Sequence, residues 1–219
     1  MRFELLGGGR VVFTDRSDGN MSSVAGDRAG AESQARLRRA LGLDGLARGY
    51  QVHGARVVVA SEGTDGLTAQ ELDRCDGQAT ATNALGVMVL AADCLPVALA
   101  APGAVAMVHA GWRGLAAGAL EEGVAVLAEL SATPLEAVLG PCAGPCCYEV
   151  GPEVHEALGT GISGRANADL RLIARARLHD AGVGTVRVAG GCTICDEGFF
   201  SHRREGEGAG RQAGVAWLS

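Results

Sequence analysis

The 219-residue sequence predicts a layered α/β or α+β domain, because helical stretches alternate along it with short apolar runs of strand length. Two of those runs, residues 87–92 (VMVLAA) and 105–108, are apolar almost without interruption, the pattern of strands buried on both faces. Composition supplies the matching interior: 47% of residues are hydrophobic but only 4% are aromatic, so the core is built from Ala, Val and Leu. One domain over residues 1–219 is expected at this length.

Taken in chain order, the first helix is expected over residues 28–41. It opens after Asp27, sets Leu37 and Leu41 four residues apart and stops at Gly42. Residues 55–60 (ARVVVA) read as a strand, followed by the two apolar runs, each of which ends next to a residue capable of chemistry. A helix over 113–130, a short strand over 137–139, helices over 151–158 and 168–181 and a strand over 183–188 complete the pattern. The 34 glycines imply tight turns between short elements.

Charge excludes several function classes. A net charge of -6 argues against a broad phosphate-backbone surface, so nucleic acid is not an expected partner. All 19 basic residues are arginine, which removes lysine Schiff bases and P-loop phosphate binding; an anionic substrate must meet Arg, backbone amides or a metal. The N-terminal MRFELLGGGR has no apolar h-region, and no later run reaches the roughly 18 apolar residues of a membrane span, so a cytoplasmic protein is expected. Seven cysteines then read as thiols or ligands rather than a disulfide framework.

Three residues lie at expected strand ends or tight turns: His53 in QVHGAR, Cys94 in AADCLP and His109 in VHAGWRG. Two imidazoles and a thiolate are a donor set that zinc accepts, and three protein ligands leave a fourth position open, as in catalytic zinc sites. Gly54, Gly111 and Gly114 let the backbone approach a bound group, and Asp93 is a candidate to accept an imidazole N–H. On the residues alone, two ordinary loop histidines and a small buried thiol explain the same letters. The single CxxC of Cys192 and Cys195 lacks a second CxxC to complete a four-cysteine cage, so Cys142, Cys146 and Cys147 in GPCAGPCCYEV read as packing residues. GTGISG at 159–164 fits a dinucleotide fingerprint by letters but follows a helix rather than a strand, and is rejected. FFSHRREG at 199–206 sets Ser201, His202, Arg203 and Arg204 beside two aromatics, either a base-and-phosphate contact or an exposed charged turn.

In this order, QVHG, ADCLPV, HAGWRG, GPCAGPCCYEV, CTICD, FFSHRR and GRQAGVAWL resemble the YfiH family, also called laccase-domain or polyphenol oxidase proteins. The resemblance runs from about Asp18 to Leu218. It implies a single-domain α/β fold with mixed sheets packed between helices, and a zinc site on His53, Cys94 and His109, with copper the weaker choice. It also implies phosphorolysis of purine nucleosides and deamination of adenosine, with a nucleoside and phosphate as the small-molecule partners. Under that reading zinc-activated water attacks C6 of adenine, and Arg113, Ser201, Arg203 and Arg204 contact the substrate. The chain departs from the family pattern in CDGQATAT at 75–82, in Ser33 and Gln34 where an Asn-Arg pair is common, and in His202 where Tyr is frequent. A cysteine hydrolase using Cys94 with His53 or His109 as base, acting on cell-wall precursors, is the competing enzyme. A multi-copper oxidase would need more histidines than the five present. A structural zinc protein with a saturated site is the non-enzymatic alternative.

Overall fold

The computed structural model describes residues 1–22, 28–61 and 74–219. Its strands are β1 Arg2–Glu4, β2 Gly9–Phe13, β3 Gly45–Ala47, β4 Val57–Val59, β5 Gly77–Thr80, β6 Leu85–Ala91 and β7 Leu95–Ala101. They continue with β8 Ala104–Ala110, β9 Glu136–Leu139, β10 Glu149–Val150, β11 Ala166–Asn167, β12 Thr185–Val188 and β13 Gln212–Leu218. The α-helices are α1 Arg28–Leu41, α2 Trp112–Ala117, α3 Ala119–Leu130, α4 Pro152–Leu158, α5 Leu170–Asp180 and α6 His202–Glu205. One mixed sheet has the order β1-β2-β13-β6-β3, the other β12-β9-β7-β8-β5-β4, and β10 pairs with β11 apart from both.

Period-two alternation explains how the sheets stack. Along β8, Ala104, Ala106, Val108 and Ala110 face a core shared with Leu115, Leu120 and Leu127 of α2 and α3. The intervening Val105 and Met107 face a second core with Phe13, Val87, Val89 and Ala216 of the other sheet. A third core lies on that sheet's far side, where Leu37 of α1 meets Met88, Leu90, Val215 and Trp217. The result is helix, sheet, sheet, helix, the mixed sheets between helical layers that the resemblance implies. The inner strands read as unbroken apolar runs because both of their faces are buried.

The expected first helix coincides with α1, although Asp27 lies outside the described residues. The expected helix over 113–130 is two helices, because Gly118 takes a left-handed conformation at φ 89° and turns the chain between α2 and α3. The predicted strand over 55–60 shortens to β4, and the run at 183–188 shortens to β12. Four central strands, β2, β5, β7 and β13, carried no clear sequence signal: β5 holds Gln78 and Thr80, and Pro96 sits near the start of β7, where a proline argues against a central strand. GTGISG forms the left-handed glycine cap that follows α4 and the loop after it. Among the described residues, no helix is long and apolar enough to cross a membrane.

The two sheets meet closely at Gly140, where an added Cβ would lie 2.5 Å from the Phe13 ring. Gly140→Ala is expected to destabilise the protein by about 1–3 kcal/mol through overpacking, and Phe13→Ala by about 3–5 kcal/mol through a cavity. Urea unfolding of the double variant should show less than the summed loss, since the alanine methyl enters the space the ring vacates; additive losses would contradict this packing.

Candidate metal centre

Strand register brings the three candidate ligands to one end of the β4–β9 sheet. Gly77 of β5 pairs with Val108 of β8, so Asp76, one residue before β5, stands opposite His109 near the end of β8. Leu95 of β7 pairs with Ala110, which places Cys94 beside the same strand end. His53 arrives from the loop before β4. That loop is tied across to the other sheet by Gln51, whose amide both accepts from Leu90 N and donates to Leu90 O at 2.8 Å. One nitrogen each from His53 and His109 and the Cys94 sulfur all lie within 4.8 Å of one another, and the imidazole rings meet edge to face at 5.0 Å. Two nitrogens and a sulfur at about 2.0–2.3 Å from one ion require separations of this order, so the donors fit a single divalent cation. Gly111 makes room: a Cβ there would lie 2.8 Å from Cys94 Sγ.

The residue that builds the site is Asp76, which sequence reasoning passed over. Its buried carboxylate accepts from the consecutive backbone N–H groups of Val52, His53 and Gly54 at 3.1, 2.9 and 2.8 Å. Three successive amides around one anion form a nest, and the nest holds His53 at φ 61°, a conformation that a non-glycine residue adopts only against strain. The same carboxylate lies 2.9 Å from His109 Nδ1, which therefore carries the proton and leaves Nε2 for the ion. Burial pushes Asp76 up, but the bond to His109 and the amides of Gly54 and Val52 outweigh it, and its carboxyl stays below the ordinary range.

The expectation that Asp93 accepts the imidazole proton is corrected. Asp93, at φ 86°, accepts instead from Thr193 Oγ1 at 2.6 Å, Ser201 Oγ at 3.1 Å and Arg203 N at 2.7 Å. It has no free lone pair directed at a histidine because its position in the tight turn before Cys94 aims it toward the C-terminal loops.

Cys94 and His109 perturb each other. Burial alone would raise the thiol, yet the neighbouring His109 and His53 bring it down to about 6. Burial would likewise lower His109, but the Cys94 thiolate and Asp76 raise it to about 9. Metal-free protein at neutral pH thus holds a thiolate beside an imidazolium. The depressed thiol contributes stability that is lost as pH falls through about 6, and the raised imidazole contributes stability that is lost as pH rises through about 9.

A cavity of about 600 Å³ opens over these ligands, and Arg48, Tyr50, Trp112, Arg113, Tyr148, His202, Arg203 and Arg211 line it. Of the four residues expected to contact substrate, Arg113 and Arg203 are on the cavity and Ser201 and Arg204 are not. Ser201 is fully buried, caps α6 and donates to Asp93. Arg204 donates to the carbonyls of Thr193 and Ile194 at 2.8 Å, and so ties loops together rather than facing a ligand. Arg113 stacks over the Trp112 ring at 4.2 Å and Arg203 over Tyr148 at 5.2 Å. Arg48, Tyr148 and Arg211 were missed as site residues, although Tyr148 and Arg211 stand inside strings that carry the resemblance, CCYEV and GRQAG. The unusual segments also find structural roles: CDGQATAT contains Asp76 and β5, buried Ser33 packs in α1, and Gln34 donates to Met21 O.

Residues 10–219 match the family model described as multi-copper polyphenol oxidoreductase laccase. The chain is 40% identical over 219 aligned residues to a purine nucleoside phosphorylase of Xylella fastidiosa, covering 91% of this chain and 84% of that one. It is 39% identical over 184 residues to the purine nucleoside phosphorylase YfiH of Escherichia coli, covering 77% and 72%. The chain belongs to the YfiH family. Among solved structures, a Neisseria meningitidis protein superposes with TM-score 0.86 at 30% identity, covering 99% of this chain and 97% of that one. The YfiH protein of Bacillus licheniformis superposes with TM-score 0.87 at 25% identity, covering 96% and 93%. The fold is therefore shared with solved structures that are 25% and 30% identical to this chain.

Asp76→Asn removes the charge that orients His109 and fills the nest; metal affinity measured by chelator competition should fall about 10–100-fold. An unchanged affinity would separate Asp76 from the ligands. In metal-free protein, alkylation of Cys94 followed by peptide mapping should rise with pH around a midpoint of about 6 instead of the ordinary 9. A midpoint near 9 would mean that the two histidines do not act on the thiol.

Proposed function

We propose that this chain is a zinc-dependent purine nucleoside enzyme that catalyses phosphorolysis and also deaminates adenosine. The observation that carries the reading is the pairing of the His53, Cys94 and His109 donors with a cavity edged by four arginines and two aromatic platforms, Trp112 and Tyr148. The cavity volume suits a nucleoside-sized ligand. The names of the relatives, purine nucleoside phosphorylase, support the substrate class.

In phosphorolysis, a phosphate oxygen forms a bond to the ribose anomeric carbon as the bond from that carbon to the purine nitrogen breaks. The electron pair leaves on the base, which takes up a proton, and the products are free purine and ribose 1-phosphate. Zinc, when bound, supplies a Lewis acid and a local positive charge beside the reacting groups. The remaining work falls to the chain. Arg113 and Arg203 are on the cavity and present guanidinium groups suited to a phosphate dianion, a role lysine cannot take here because the chain has none. Their stacking on Trp112 and Tyr148 restricts the guanidinium planes before substrate arrives. Burial pushes the Tyr148 hydroxyl up to about 12, so it stays protonated at neutral pH and can donate a hydrogen bond to the departing base.

The low thiol value of Cys94 beside His109 favours one second reading, a cysteine hydrolase with Cys94 as nucleophile. Zinc-loaded protein decides between them: a ligating sulfur resists alkylation, whereas a nucleophile reacts. Copper is the alternative ion, and the family description names it, but the donors gathered here suit one ion. His155 and His179 are engaged elsewhere, with Thr160 and Ala166 O and with Val183 O.

Purified protein given inosine should release hypoxanthine and ribose 1-phosphate only when phosphate is present, and given adenosine should also form inosine. No base and no ribose phosphate from a panel of purine nucleosides would overturn the proposal. Arg113→Ala should raise KM for phosphate about tenfold, equivalent to about 1.4 kcal/mol, with Tm unchanged because the side chain is exposed.

A further inference from the structure

A second group of donors lies outside this site. The sulfurs of Cys146, Cys147, Cys192 and Cys195 are all within 4.8 Å of one another. The sequence offers only one CxxC, and the pair that completes the set is not another CxxC but the adjacent residues Cys146 and Cys147. Their turn explains the geometry: Cys147 N donates to Gly144 O at 3.1 Å, and the two sulfurs emerge on one side, 3.5 Å apart. The CxxC loop is held against this turn by a parallel backbone β-bridge between residues Cys142 and Cys192 and by Thr193 N donating to Cys142 O at 3.0 Å. Across the loops, Cys146 and Cys195 sulfurs are 3.3 Å apart. Gly144 N donates to Cys192 Sγ at 3.1 Å, the kind of amide contact that steadies a thiolate.

All four residues are free cysteines, and 3.3 Å is far longer than the roughly 2.05 Å of a disulfide. Four thiolates on one tetrahedral zinc, with bonds of about 2.3 Å, stand about 3.8 Å from each other. The observed cluster is therefore already near the size of a mononuclear cage. Cys142, by contrast, is fully buried and is not one of the four.

We propose that Cys146, Cys147, Cys192 and Cys195 hold one thiophilic divalent cation of the zinc type in a closed, structural site, separate from the His53, Cys94 and His109 group. On binding, four S–H bonds are replaced by four sulfur–metal bonds, four protons pass to solvent, and no oxidation state changes. Four protein ligands leave no open position, so the ion clamps rather than catalyses. The clamp acts on the cavity. Tyr148 directly follows Cys147, and Thr193 directly follows Cys192 and donates to Asp93, which also receives Ser201 and the backbone of Arg203.

The test uses full-length protein expressed with zinc and purified under reducing conditions, with metal counted by elemental analysis and native mass spectrometry. Wild type should hold two ions per chain, Cys195→Ser one and Cys94→Ser one, with the Cys195→Ser variant also lowered in Tm. Cobalt replacing the ion in Cys94→Ser should produce the intense visible absorption and thiolate charge-transfer bands of a tetrahedral sulfur site, and these should be lost when Cys195→Ser is added to Cys94→Ser, because Cys195→Ser alone keeps the Cys94 thiolate. Should Cys195→Ser fail to fold, wild type suffices. Cys146 and Cys195 are exposed, so in zinc-loaded protein they should alkylate at least about tenfold more slowly than after chelation. A metal count that is the same in Cys195→Ser as in wild type, fast alkylation of Cys146 and Cys195 with zinc present, or a Cys146–Cys195 disulfide in the isolated protein would each overturn the proposal.

Discussion

The arrangement depends on a single buried anion. Asp76 is fully excluded from water, and a carboxylate in that position is costly unless donors surround it. Four donors do: three successive backbone amides of the His53 loop and the Nδ1 of His109. Satisfying the charge thus fixes the left-handed turn that presents His53 and selects the tautomer that presents His109. Two ligands 56 residues apart in sequence are positioned by the same functional group, so the site is assembled before any ion arrives.

A second aspartate performs the matching task on the other side of Cys94. Asp93 turns away from the histidines and gathers Thr193, Ser201 and the amide of Arg203, drawing the C-terminal loops over the cavity. Arg204 strengthens that contact by donating to carbonyls of the cysteine-bearing loop. Cys94 therefore sits between two carboxylate-centred networks, one organising metal donors and the other organising the cavity rim. The thiol's preference for the ionised form follows from the two histidines around it, which outweigh the cost of its partial burial.

The layered core places both networks at a common edge. Small side chains allow the two sheets to approach, as at Gly140 against Phe13, and their alternating faces leave helices covering each outer surface. Because β5, β7 and β8 are neighbours and end together, residues just beyond them converge without a long loop. Rigid strands then carry His109 and the approach to Cys94, while the short helices α2 and α6 supply the exposed Arg113 and Arg203. This division suits a site whose donors must stay fixed while its substrate contacts meet solvent.

Much of this was legible in the letters. The apolar runs at 87–92 and 105–108 marked buried strands, the 28–41 pattern marked a helix, and His53, Cys94 and His109 stood out as imidazoles and a thiol at turns, because periodicity and side-chain chemistry are local properties. Pairing is not local. Nothing within CDGQ says that Asp76 will face His109 across a strand pair, and nothing in CTIC says that its sulfurs will meet those of a vicinal pair 45 residues earlier. The same limit misassigned Asp93, Ser201 and Arg204, whose polar groups are spent on neighbours that only the folded chain brings within reach. The sequence by itself determined which donors exist and which segments are apolar enough to be buried. Tertiary structure decided which donors share a point in space, because strand register and the need to satisfy each buried charge are settled only when distant segments pack together.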